Sequence, residues 1–255
     1  MSRKKIAVLL TGHLRTYINH FHNLKVLLLD QHDADVYVST WDLNFIANET
    51  IGSQELPGGL HHSVAPISRT ELKKRLSIYP NLKGVYIGNT NAVAVLNKKL
   101  IKKYQPYGVY TGSRFPVFVG GRVNEQTMEN IANQWYLVQK GFEIIKNAEQ
   151  YDHIIRVRFD SQLVRPITFI DEDVVLEPGI YHSHMHEIRD CFFYGKPVIK
   201  TVMAHLHSQI IWHLVRFNNL PAETIFQMVL EKHSKNKPVM DYNMYLGHTY
   251  LQTRL

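Results

Sequence analysis

An α/β fold is what this sequence predicts, and three stretches predict it. Ile6-Ala-Val-Leu-Leu10 is a short apolar run closed by Thr11-Gly12, the pattern of a buried strand and its turn. Leu14, Tyr17, Ile18, Phe21, Leu24 and Leu28 then recur at helical spacing, and Ala34 to Asp42 reads as a second strand. The third stretch is Tyr151 to Ser161, a strand entered from a long helical pattern over about 124–148.

Strand, helix and strand at the start make a βαβ unit, which sets its two strands parallel. Open sheets of this kind bind ligands beyond the carboxyl ends of the strands. Those ends carry Thr11, Gly12, His13, Arg15, Trp41 and Asp42.

The strand at 151–161 puts Ile155, Val157 and Phe159 on one face and Asp152, Arg156, Arg158 and Asp160 on the other. Interior strands of α/β sheets are usually apolar on both faces. The pattern therefore leaves two readings open. One is an edge strand with a solvated face. The other is a site, with arginines for an anionic ligand and Asp160 at the carboxyl end for a divalent cation.

The remaining elements follow in order. Residues 43–66 read as a long loop containing Pro57-Gly58-Gly59 and His61-His62. Ser68 is placed to cap a short helix through Leu76, with Glu71 at the capping-box position. Lys83 to Gly88 reads as a third strand, and Asn91 as the cap of a helix to about Tyr104. Lys98, Lys99, Lys102 and Lys103 form its solvated face. Residues 105–123 are irregular, and the next helix carries a core stripe of Ile131, Trp135, Val138, Phe142 and Ile145.

Beyond the 151–161 strand, Asp171-Glu172-Asp173 reads as a solvated turn, and Gly179 to His182 as a short strand. His182, His184 and His186 alternate, but no fourth ligand stands at a recognisable zinc spacing. Asp190 to Gly195 reads as a buried strand, followed by helices over about 197–217 and 221–233 and then Met240 to Tyr245.

Composition narrows the classes. The chain has 255 residues, 45% of them hydrophobic, enough for a full core, and no linker, repeat or low-complexity segment divides it. One domain over 1–255 is the expectation. The formal charge of +7 suits acidic ligands, but the basic residues are scattered and no nucleic-acid module is evident. A lone cysteine, Cys191, excludes an intramolecular disulfide framework and fits a reducing compartment. The apolar run Ile6 to Leu10 is too short for a signal core or membrane span, so a soluble, cytoplasmic protein with no membrane span is expected.

The phosphate-binding Gly-x-x-x-x-Gly-Lys-Ser/Thr, the dinucleotide Gly-x-Gly-x-x-Gly after the first strand, and the hydrolase Gly-x-Ser-x-Gly are all absent. What remains fits transfer from a nucleotide diphosphate. The leaving diphosphate develops negative charge that arginines and a divalent cation stabilise, and a carboxylate takes the proton of an acceptor hydroxyl.

Four motifs carry a family resemblance. Lys5 to Tyr17 resembles the first strand and Ser/Thr-Gly-x-x-Arg turn of a group of viral and bacterial glycosyltransferase-like proteins. Residues 35–42 match their Asp-Val-Tyr-Val-Ser-Thr-Trp-Asp strand, Asp152 to Asp160 their Asp-x-x-Ile-Arg-x-Arg-x-Asp, and Asp190 to Gly195 their Asp-x-Phe-x-Tyr/Phe-Gly. The matches keep the family's order over about 5–195. The resemblance implies a GT-A-type fold: a Rossmann-like mixed sheet flanked by helices, with a helical C-terminal part. About 1–160 would bind the sugar nucleotide and about 161–255 the glycan or other hydroxyl acceptor.

It further implies donor contacts at Thr11, Gly12, Arg15, Arg156, Arg158 and Asp160, with Asp160 as ligand to Mn²⁺ or Mg²⁺. Asp190 is the first choice for catalytic base and Asp241 the second. The family's metal motif is Asp-x-Asp, whereas this chain has Arg158-Phe159-Asp160, so Arg158 stands where a first acid would be. The same departure fits a non-catalytic module that binds nucleotides or glycans.

Overall fold

Strand β1 (Lys5–Gly12) runs through the interior of a seven-stranded mixed sheet. The computed structural model describes residues 3–14, 17–46, 63–104, 125–178, 188–216, 222–243 and 245–246. On one side β1 pairs in parallel with β2 (Asp33–Trp41), and β2 in turn with β5 (Leu82–Gly88). On its other side β1 pairs in parallel with β6 (His153–Arg158). The sheet then turns antiparallel through β8 (Ile188–Gly195) to β7 (Val175–Pro178), which pairs in parallel with β9 (Val239–Met240). The spatial order is β5-β2-β1-β6-β8-β7-β9, so strands from both parts of the chain share one sheet.

Alternation along β1 builds two cores. Ala7 and Leu9 face α4 (Glu125–Ile144) and the C-terminal helices α5 (Ile199–Met203), α6 (Leu206–Arg216) and α7 (Ala222–His233). Ile6, Val8 and Leu10 face α1 (Tyr17–Leu24) and α2 (Arg69–Leu76). Each fully buried aliphatic side chain contributes about 1.5–3 kcal/mol, which is why an apolar run this short suffices to fix a central strand. Helix α3 (Thr90–Tyr104) packs on α4 and α6 through Ile101, Ala132, Ile211 and Val215.

The expected core stripe of α4 is buried at Trp135, Val138 and Phe142, continues to Ile145, and is partly buried at Ile131. Ser68 caps α2 by accepting from Glu71 N at 3.1 Å, while the Glu71 carboxylate accepts from Arg75 Nε at 2.9 Å. The four lysines of α3 are exposed. Asp171 to Asp173 form a partly exposed turn latched by Lys196 on Asp171 and Asn236 on Asp173.

Several expectations are corrected. Strand β6 lies between β1 and β8, so it is an interior strand and its arginine face is not a solvated edge. The 43–66 loop is not wholly irregular, because β3 (Leu43–Ile46) and β4 (Ser63–Pro66) pair antiparallel at its base. Asn89, not Asn91, caps α3, its side-chain oxygen accepting from Ala92 N at 2.8 Å. Ile18 faces solvent at 65% exposure rather than joining the α1 stripe. Strand β7 is Val175–Pro178, and the strand expected over 179–182 lies outside the described residues. Residues 179–187, with the three alternating histidines, lie outside the described residues, as do Pro57-Gly58-Gly59, His61-His62 and 105–123.

Gly195 ends β8 against the backbone of the acidic turn. A Cβ there would collide with the Asp173 carbonyl, so the close approach of β8 to this turn requires glycine.

Candidate functional site

The parallel strands β5-β2-β1-β6 have β1 inside, with its two parallel partners on opposite sides. That is a topological switch point, where the connections after the strands leave in opposite directions and open a crevice at their carboxyl ends. The β1–β6 register sets Thr11 opposite Arg158, and the β1–β2 register sets Gly12 opposite Thr40. Thr11, Gly12, Arg158 and Asp160 are thus brought to one edge.

Gly12 has φ +110°, a conformation closed to residues with a Cβ at little cost. Its carbonyl accepts from Thr40 Oγ1 at 2.8 Å, which fixes the turn to β2. Thr11 is buried, and its hydroxyl accepts from Arg156 Nε at 2.9 Å. Arg156 has no exposed surface; its guanidinium carbon lies 6.0 Å from the Trp135 ring centre and 5.7 Å from that of Phe193. Cation–π contact on these two rings offsets part of the cost of burying the charge. Arg156 therefore supports the β1 turn from beneath the crevice and does not itself face it.

Arg158 and Asp160 sit at the crevice, 31% and 28% exposed in their side chains. They form a two-pronged ion pair, Nε to Oδ1 at 2.9 Å and an Nη to Oδ2 at 2.6 Å. The turn that carries Asp160 is closed by Ser161 N donating to the Arg158 carbonyl at 3.1 Å. A concavity beside this pair is lined by Tyr17, His20, Phe21, Tyr79, Arg158 and Ser161. Burial pushes the His20 pKa down, and the neighbouring Asp160 partly opposes that shift.

The other flank of the crevice is aromatic. Trp41, the last residue of β2, stacks on Tyr136 of α4 with ring centres 6.3 Å apart, and His13 lies 6.4 Å from Trp41. Tyr136 and Tyr86 share a hydroxyl–hydroxyl bond of 2.9 Å. Asp42 is spent on structure: it accepts from Thr90 N, Thr90 Oγ1 and Asn89 Nδ2 at 3.1–3.3 Å, holding the start of α3. His20, Tyr17 and Ser161 are site residues that sequence reasoning missed. The one signal for His20 and Tyr17 was that α1 follows directly on the turn of a βαβ unit; for Ser161 it was its place just past the carboxyl end of β6.

Arg15 lies outside the described residues. Asp190 belongs to β8 two residues before Phe192, which pairs with Val157. Because β8 runs antiparallel to β6, the Asp190 backbone stands at the same carboxyl edge; its side chain lies outside the described residues.

Asp241 is elsewhere. It is 3% exposed, and its Oδ2 accepts from Tyr194 and Tyr245 hydroxyls at 3.0 and 2.9 Å. Its Oδ1 accepts from Asn243 N and Nδ2 at 3.0 and 2.7 Å. Tyr194 pairs with Ile155, near the amino end of β6, so Asp241 is not brought to the crevice.

Among the described residues, no group of three His, Cys, Asp or Glu side chains is placed to hold a metal ion. Both Asp160 oxygens accept from Arg158, so the carboxylate as placed does not fit a divalent cation. Among the described residues no helix is long and apolar enough to cross a membrane. The chain matches no protein-family model and no curated protein sequence at a significant level.

Proposed function

We propose that this chain is a sugar-nucleotide-dependent glycosyltransferase of GT-A type, moving a sugar from a nucleotide diphosphate to a glycan or other hydroxyl acceptor. The observation that carries the reading is the meeting of Thr11, Gly12, Arg158 and Asp160 at the β1/β6 switch point. The diphosphate lies against the Gly12 turn, where no side chain blocks approach to the backbone. Arg158 meets the charge that develops as the glycosidic bond to the diphosphate breaks. Arg156 acts through Thr11 and holds the turn in place. Asp190, by its place on β8, takes the proton of the acceptor hydroxyl. Mn²⁺ or Mg²⁺ gains Asp160 as a ligand only if Arg158 leaves it.

A thermal-shift screen of nucleotide diphosphates and sugar nucleotides, each with and without Mn²⁺, tests this. Saturation a hundredfold above Kd stabilises a protein by about 2.7 kcal/mol, a readily measured rise in melting temperature. A base-specific rise supports the donor site, and its dependence on Mn²⁺ decides metal use. No rise with any nucleotide overturns the reading.

A second reading, a non-catalytic module that binds nucleotides or glycans on the same fold, is favoured by the closed Arg158–Asp160 pair. Nucleotide binding without donor hydrolysis or transfer selects it.

A further inference from the structure

Helices α6 and α7 gather cations around Trp212, on a part of the chain that the proposed donor site does not use. His205, Gln209, Trp212 and Arg216 follow one another at spacings of four, three and four, which sets them along one face at and within α6. The Arg216 guanidinium carbon lies 4.7 Å from the Trp212 ring centre. From α7, Lys232 Nζ lies 5.4 Å from the same ring and donates to Gln209 Oε1 at 3.4 Å. His205, Lys232 and His233 are exposed.

Among the described residues these charges have no acidic partner. Among the described residues neither Arg216 nor Lys232 makes an ion pair with a carboxylate, and the buried Arg216 Nε has no acceptor. Glu231, the acid next to Lys232, accepts from Gln227 instead. The cations also act on one another. Burial first, then Lys232, Arg216 and His233, hold the neighbouring His213 down to about 4. Burial, Lys232 and His205 lower His233.

A helix C-terminus favours a cation by about 0.3–1 kcal/mol, which accounts for basic residues in each last turn. It does not account for two helices directing cations onto one tryptophan. Like charges at this spacing cost free energy until an anion lies among them.

We propose that the α6–α7 face is a binding site for a phosphoryl group, held by Arg216 and Lys232 beside Trp212 with His205 and His233 at its rim. An arginine fork, an ammonium and two imidazoles offer more donors than the two oxygens of a carboxylate use, and they match the three oxygens and higher charge of a phosphoryl group. The group belongs either to a soluble phosphate ester or to a lipid headgroup.

Calorimetric titration with inorganic pyrophosphate tests the site, run in an Arg158→Gln background so that the carboxyl-edge crevice does not contribute. The expected result is binding that weakens with salt and loses tenfold or more in Kd in Arg216→Gln/Lys232→Gln. Lys232→Gln alone, at an exposed position, gives a smaller loss without disturbing the fold. Vesicles of phosphatidylcholine, with and without phosphatidic acid, separate the sources. Capture that needs both phosphatidic acid and Lys232 assigns a lipid headgroup; pyrophosphate binding without capture assigns a soluble ligand. Equal pyrophosphate binding by parent and both variants overturns the site. So does binding of a DNA oligonucleotide, but not pyrophosphate, that depends on Arg216 and Lys232.

Discussion

Asp241 and Asp160 are carboxylates in one protein with opposite surroundings. Asp241 is 3% exposed and accepts four hydrogen bonds, from Tyr194 on β8, from Tyr245 and twice from Asn243. The Tyr245 hydroxyl also lies 2.9 Å from the Thr168 carbonyl oxygen, so the network reaches from the connection after β6 to strand β8 and the 241–245 segment. Asp160 is 28% exposed in its side chain, and its bonds from Arg158 come from a residue only two positions away. A buried carboxylate that ties its own turn to a tyrosine of β8 is part of what closes the fold. One held by a near neighbour at an open edge can change partners while the fold stays intact.

The sharpest way to break this contrast is Asp241→Ala. It strips two buried tyrosine hydroxyls and an asparagine of their acceptor, a loss of about 3–5 kcal/mol by comparison with other broken buried polar pairs. At about 2–4 °C per kcal/mol, the melting temperature falls by roughly 10 °C or more. Asp241→Asn keeps one oxygen and loses less, roughly 1–2 kcal/mol. Urea unfolding of both variants checks the order. An Asp241→Asn protein of unchanged stability but without transferase activity would move Asp241 from the scaffold to the chemistry.

Acid provides the next largest effect. His207 is 5% exposed between α3, α4 and α6; its Nε2 is 2.8 Å from Asn97 Oδ1, and Tyr136 packs edge-on against its ring. Burial, with Lys140 nearby, pushes its pKa down from 6.5 to about 4. Between these values the unfolded chain binds the proton and the folded chain does not. Stability is therefore fully present above about pH 6.5, declines as pH falls towards 4, and levels off below, for a total of about 3 kcal/mol. His207→Gln, which retains a donor for Asn97, flattens that part of the pH–stability curve. An unchanged slope assigns the acid sensitivity to other groups, His213 first among them, since it too is held near 4.

How far sequence carries such distinctions depends on the range of the interaction. β1, β2 and β8 were legible because apolar runs and alternation are local. The pairing of β3 with β4 was not, because a polar loop carries no periodicity. At the edge, Thr11, Gly12, Arg158 and Asp160 were each legible from strand ends. Their meeting depends on β6 joining β1 rather than another strand, a long-range choice of topology. The tie between Arg158 and Asp160 depends on side-chain geometry that residue types do not encode. His20 is one of 15 histidines, with nothing in its neighbours to mark it. Asp241 read as a second choice for catalytic base because short motifs do not report the tyrosines that fold over it.

The turn of β1 gives an intermediate case. Gly12→Ala introduces a Cβ with nothing within 4 Å, so its cost is backbone strain alone. At φ +110° that is about 1–2 kcal/mol. Chemical denaturation reads the cost, and nucleotide-induced thermal shift reads whether the displaced turn still meets the ligand. A loss near 4 kcal/mol would mean that the turn belongs to the scaffold as firmly as Asp241 does.

Asp160→Asn is the smallest expected effect on stability and the most informative about function. A partly exposed ion pair contributes about 0–1 kcal/mol, so the melting temperature moves by no more than a few degrees. The same change removes one charge from the crevice and takes the Asp160 carboxylate from Arg158. If Arg158 alone meets the diphosphate, nucleotide binding is retained or tightened in Asp160→Asn, because the competing carboxylate has gone. If Asp160 instead holds a cation against the diphosphate, the Mn²⁺-dependent part of the shift disappears with it. Arg158→Gln reverses the first expectation, removing the arginine from Asp160 and the cation proposed to meet the diphosphate. Thermal shifts of the two variants with one nucleotide, with and without Mn²⁺, therefore separate arginine from metal. A large loss of stability in Asp160→Asn would erase the contrast with Asp241, since both carboxylates would then belong to the fold.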